Sequence, residues 1–136
     1  MIFSRLKIVF YAEILLNCLS AGLYLFGGTV GIELLGVSQP TPILADVFRW
    51  FAVMTLVITY IMAHTLLSRD ERALRFVLEG YLFGEVIYLV VLVQFVDTLG
   101  GVWAPGAVFA GLITIFLASV RVIYLTLSPQ VIQNAA

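Results

Sequence analysis

The hydrophobic pattern of this chain is a succession of long apolar runs broken at three places. The breaks fall at residues 28–42, where Glu33, Pro40 and Pro42 lie, at the charge-dense stretch around residues 68–72, and at residues 97–101, where Asp97 precedes Gly100 and Gly101. Each run between breaks reaches the roughly 20 residues needed to cross hydrocarbon as a helix. The pattern predicts four transmembrane helices over about 5–27, 43–67, 73–96 and 102–127. Prolines stop or start the helices at the outer breaks, since proline lacks the donor that a helix interior requires. The expected architecture is all-α: an up-down four-helix bundle forming a single integral membrane domain over residues 1–136.

Composition narrows the setting. Of 136 residues, 62% are hydrophobic and only 11% charged, with a mean hydropathy of +1.12. A soluble domain is about a quarter charged, so a water-soluble fold of this size would lack a polar surface. The lipid bilayer is therefore the first expected partner. A basic run before an apolar one also raises a signal peptide as the rival reading of the first span. That span is long, contains Glu13 and shows no small-x-small cleavage site, so it is retained as a helix.

Charge sets the expected orientation. Arg5, Lys7, Arg69, Arg72 and Arg75 fall at one end of the bundle, while the other end carries Glu33, Asp46 and Asp97 against Arg49 alone. By the positive-inside rule both termini are cytoplasmic. Trp50 and Trp103 fall near the opposite interface, as anchors would. The net charge of −1 leaves no basic face for nucleic acid. A single cysteine, Cys18, and a single histidine, His64, exclude an internal disulfide and a multi-His metal centre.

Ionisable groups at membrane depth are costly and face the bundle interior or a polar partner. In the first helix Glu13, Asn17, Ser20 and Tyr24 form one stripe, leaving Leu15, Leu19 and Leu23 on other faces. In the second, Asp46, Arg49, Tyr60 and His64 share a sector of about 60°. The third carries Glu79 on one face and Tyr81, Glu85 and Tyr88 on another. Gly80 and Gly84 form a G-x-x-x-G there, and the fourth helix has Ala107, Gly111, Thr114, Ala118 and Arg121 in line. Such small-residue faces permit close helix approach. By helical rise, Glu79 and Arg121 lie roughly 9 Å from the basic end, Glu13 roughly 12 Å, His64 roughly 5 Å and Glu85 roughly 18 Å. The expected intramembrane polar network is Glu13, Asn17, Tyr60, His64, Glu79, Glu85 and Arg121. For Arg121, Glu79 and His64 an interfacial alternative stays open: Arg121 snorkels, Glu79 pairs with Arg75, and His64 sits among headgroups.

No hydrolase, zincin, Walker or dinucleotide fingerprint is present, and no serine falls beside His64, so catalysis is the minority expectation. Three functions fit. The leading one is a non-enzymatic accessory subunit associating with other membrane proteins or with itself. A proton-coupled carrier using Glu13 and Glu85 is the second. The third is a subunit binding haem or chlorophyll through His64, whose neutral imidazole is a good axial ligand. Bound lipid is a further candidate ligand. Ala12-Glu13-Ile14 in the first of four short helices resembles the signature position of the small multidrug resistance transporters. The layout as a whole is similar to that of the DoxX-like small four-helix membrane proteins: Gly27-Gly28 and two prolines after the first helix, Asp46-Val47-Phe48-Arg49 opening the second, a short basic loop, and Leu78-Glu79-Gly80 in the third. That resemblance implies the fold, not an activity.

Overall fold

The computed structural model describes residues 2–133, and for side chains residues 6–127. Among the described residues five helices run in the order α1 (Ile2–Phe26), α2 (Val30–Leu34), α3 (Pro42–Ser68), α4 (Glu71–Thr98) and α5 (Pro105–Gln133). Four of them are long and apolar enough to cross a membrane, over Leu6–Phe26, Pro42–Ser68, Glu71–Thr98 and Pro105–Leu127. This is a multi-pass membrane protein. The long helices are as the hydrophobic runs predict; the short α2, inside the first loop, is an addition. The fourth was expected to stop before Pro129, but α5 continues to Gln133. Proline fixes φ near the helical value, so a helix can run through it, at the cost of one backbone bond and of crowding against the carbonyl four residues back.

Local chemistry sets the helix ends. Thr41 caps α3, its side-chain oxygen accepting from the Leu44 amide at 3.3 Å, with Pro42 at the first helical position. Only Arg69 and Asp70 separate α3 from α4. Arg69 takes a left-handed conformation (φ 57°), which turns the chain, and the Asp70 carboxylate then accepts from the Arg72 and Ala73 amides at 3.0 Å. A carboxylate there also meets the positive end of the α4 dipole.

Contacts at the two ends fix the up-down order. Lys7 near the start of α1 pairs with Glu71 at the start of α4, and the Tyr124 hydroxyl late in α5 donates to Glu71 at 2.6 Å. At the opposite end, the Tyr24 ring of α1 meets Phe48 and Phe51 of α3 at centroid distances of 5.0 and 6.3 Å.

The bundle is built as two pairs. Helix α1 lies mainly against α3, and α4 against α5. Among the described residues, the core shared between the pairs lies at the basic end and is built from Phe10, Met62, Leu66, Leu74, Leu78, Val120 and Tyr124. Towards the other end the α4–α5 pair keeps a small core of its own, Leu92, Val96 and Ala107. The small-residue face of α5 lies inside this pair: Ala107 is fully buried, and a Cβ on Gly111 would stand 3.5 Å from Leu92. Helix α2 contacts both α1 and α5 and closes one seam. Gly106 makes that closure possible, because a side chain there would strike the Leu34 carbonyl.

Candidate functional site: a buried arginine between two glutamates

Where the shared core stops, Arg121 of α5 is fully buried. Its Nη2 donates to Oε1 of Glu13 on α1, and its Nη1 donates to Oε1 of Glu85 on α4. The guanidinium carbon also lies 4.7 Å from the centroid of the Tyr81 ring, a cation–π contact. Three helices are thus tied through one planar cation, whose fork suits two acceptors at once. Glu13 is 4% exposed and Asn17, one turn on, stands beside its carboxyl.

The cluster is incompletely satisfied. Among the described residues, Glu13 Oε2, Glu85 Oε2, Arg121 Nε, Tyr81 OH and Thr59 Oγ1 are buried without a hydrogen-bond partner. The Tyr81 and Thr59 hydroxyls are neighbours that do not meet hydrogen-bond geometry. Buried polar groups are normally paired, and each unpaired one is costly in a low-dielectric setting. Two carboxylates around one guanidinium also leave one negative charge in excess when both are ionised.

Beside the cluster lies a cavity of about 890 Å³. Its wall draws on all five helices: Leu16, Leu23 and Tyr24, then Leu34 and Leu35, then Phe51 and Thr55, then Gly84 and Tyr88, then Phe109 and Thr114. Glu13, Asn17, Tyr81 and Glu85 line it as well, and Arg121 does not. The walls are chiefly apolar. The volume lies within the roughly 300–1,000 Å³ range of small-molecule sites, and the combination of apolar walls with a few convergent polar groups is typical of them.

The cavity opens sideways between α3 and α4. Ile58, Ile61, Phe76, Gly80 and Gly84 all line it and are all exposed. A Cβ on Gly80 or Gly84 would have no other atom within 4 Å among the described residues. The G-x-x-x-G face of α4 thus borders an opening instead of a neighbouring helix.

The structure brings Glu13, Asn17, Glu85 and Arg121 of the expected network together and places the others elsewhere. Glu79 pairs with Arg75 one turn away, Arg75 Nε donating at 3.0 Å. Tyr60 and His64 lie on the outward face of α3, their rings stacked at 6.2 Å, and Tyr60 is 70% exposed. Asp46 and Arg49, in the same sector, pair with each other at 2.7 Å and are also exposed. No three His, Cys, Asp or Glu side chains among the described residues are grouped to hold a metal ion. Sequence reasoning did not single out Tyr81 as the ring under the guanidinium. Its position four residues before Glu85, one helical turn away, carries that signal.

No family model matches the chain, and neither does any curated protein or solved structure.

Proposed function

We propose that this protein is a small-molecule carrier of the bilayer, with Glu13 and Glu85 as the polar floor of its binding cavity and a proton as their exchangeable counter-ion. One observation carries the reading: two carboxylates share one sealed arginine, each keeps an unsatisfied oxygen, and both line a large apolar cavity. A cluster serving stability alone gains nothing from a cavity beside it. Intramembrane carboxylates of this kind mark proton relays and ligand paths.

Native mass measurement after mild extraction tests the proposal. Wild type should carry a lipophilic adduct of small-molecule mass whose occupancy changes with pH. The Glu13→Gln/Glu85→Gln double variant should lose the pH dependence. Equal, pH-independent occupancy in both proteins would dismiss the reading.

A second reading, an accessory subunit, draws on the open Gly80 and Gly84 face, where another transmembrane helix would find close approach. The same measurement separates the two, because a co-purifying protein chain would replace the small adduct. The pigment reading rests on His64, which lies on the outward face of α3 and does not line the cavity. We further propose that the end bearing Lys7, Arg69, Arg72 and Arg75 is cytoplasmic, following the charge bias. The DoxX-like kinship is likewise a proposal, resting on layout and on no residue of the site.

A further inference from the structure

We infer that the cavity takes a lipophilic molecule whose head group donates hydrogen bonds, an alcohol or an amine, and discriminates against an acid. This rests on the carrier reading above and specifies its ligand. A buried arginine in a membrane protein first suggests an anion site. Here the geometry points the other way. Arg121 is fully buried, has both terminal nitrogens committed to Glu13 and Glu85, and does not line the cavity. What lines the cavity is the pair Glu13 and Glu85, and behind that lining each holds an Oε2 that is buried without a partner. An ionised carboxylate accepts and never donates. A turn about its soft terminal torsion brings the second oxygen towards a ligand.

In the proton-free state, with both carboxylates ionised, the residual charge argues in the same direction. An acid head would add a second uncompensated negative charge beside the first, in surroundings of low dielectric. A hydroxyl or ammonium head supplies a donor for the Oε2 that each carboxylate holds without a partner. A hydroxyl can also accept from the unpaired Tyr81 hydroxyl. The ligand body must be apolar for two reasons: the walls are apolar, and the opening between α3 and α4 faces the acyl region through Ile58, Ile61 and Phe76.

The test uses the full chain in lipid nanodiscs and three probes with one body: 4-phenylbutan-1-ol, 4-phenylbutylamine and 4-phenylbutyrate. Binding is read by saturation-transfer NMR and referenced to uptake by protein-free nanodiscs. The alcohol or the amine should bind about tenfold tighter than the acid, the worth of one hydrogen bond to a charged group. Glu85→Gln puts a donor where an unpaired acceptor stood, and should shrink that preference to about threefold or less. Gly84→Leu grows a side chain into open space and should remove binding of all three probes without unfolding the protein. An acid that binds as tightly as the other two, or a preference that Glu85→Gln leaves intact, overturns the head-group assignment. If all three bind equally and Gly84→Leu removes them, the cavity reading survives while the head-group inference falls. If no probe binds wild type above the empty nanodiscs, the cavity reading falls as well.

Discussion

The two ends of this bundle solve the same problem differently. At the basic end all four long helices meet: Phe10, Met62, Leu74, Leu78 and Tyr124 are buried together, and Lys7, Glu71 and Tyr124 join three helices at the rim. At the other end the helices stay in pairs, with a cavity between them, α2 bridging α1 to α5, and Gly36 close to Leu99 and Ala104. Lipid tails are as apolar as leucine, so helices in a bilayer associate through close contact and polar links more than by hydrophobic expulsion. The first end has close contact. The second lacks it and has a buried polar link at its base. The difference teaches that Arg121 holds the bundle together at the depth where side-chain contact between the pairs runs out.

The largest expected effect tests that link. Arg121→Ala leaves two buried carboxylates facing each other without a cation, and should cost about 3–5 kcal/mol, read by reversible denaturation in mixed micelles. Arg121→Lys keeps the charge but not the fork and should fall between the two. A variant Arg121→Ala as stable as wild type would break the comparison.

Next comes the contrast between the ends themselves. Leu78→Ala, in the shared core, should cost about 2–5 kcal/mol because the hole cannot refill. Leu16→Ala, on the cavity wall, should cost about 1 kcal/mol or less, since its side chain already borders open space. Equal losses would mean that the cavity is filled and supported in the membrane. A loss smaller than that of Leu78→Ala is expected for Tyr124→Phe, about 1 kcal/mol, because it removes one hydrogen bond to the half-exposed Glu71 while keeping the edge contact with Phe10 at 5.4 Å.

The smallest effect has the opposite sign. Gly80→Ala should stabilise the monomer by about 0.5–1 kcal/mol, since the added methyl meets nothing and alanine is the better helix former. If it instead weakens an assembly detected by native mass measurement, the open face is a seam for another helix and the accessory reading gains.

Much of this was legible in the sequence, for physical reasons that also explain what was not. Four apolar runs of spanning length give four helices, and Pro42 and Pro105 mark the starts of two of them. Helix α2 has five residues, too few for a periodic signal. Glu13 and Glu85 stand out because a short carboxylate cannot reach water from their depth. Arg121 is ambiguous, as its long side chain allows either an inward or a snorkelling pose, and only the positions of Glu13 and Glu85 on neighbouring helices decide it. The Asp46, Arg49, Tyr60 and His64 sector shows the limit of helical phase. Phase says which residues share a face, not which face turns inward. The structure turns that sector outward, where Asp46 and Arg49 satisfy each other. Glu79 behaves similarly, with Arg75 one turn away removing any need for a distant partner. The opening beside Gly80 and Gly84 is a property of helix spacing, and no single-chain pattern encodes it.

The two-residue joint at Arg69–Asp70 has a mechanical consequence. It pins α3 and α4 like the pivot of a pair of tweezers, so widening their far tips requires rotation about that point and no sliding. Helix α4 spans 28 residues, about 42 Å at the helical rise. A swing of about 5° over that lever displaces the tip by roughly 4 Å, comparable to the thickness of a hydrocarbon chain, while the clenched end scarcely moves.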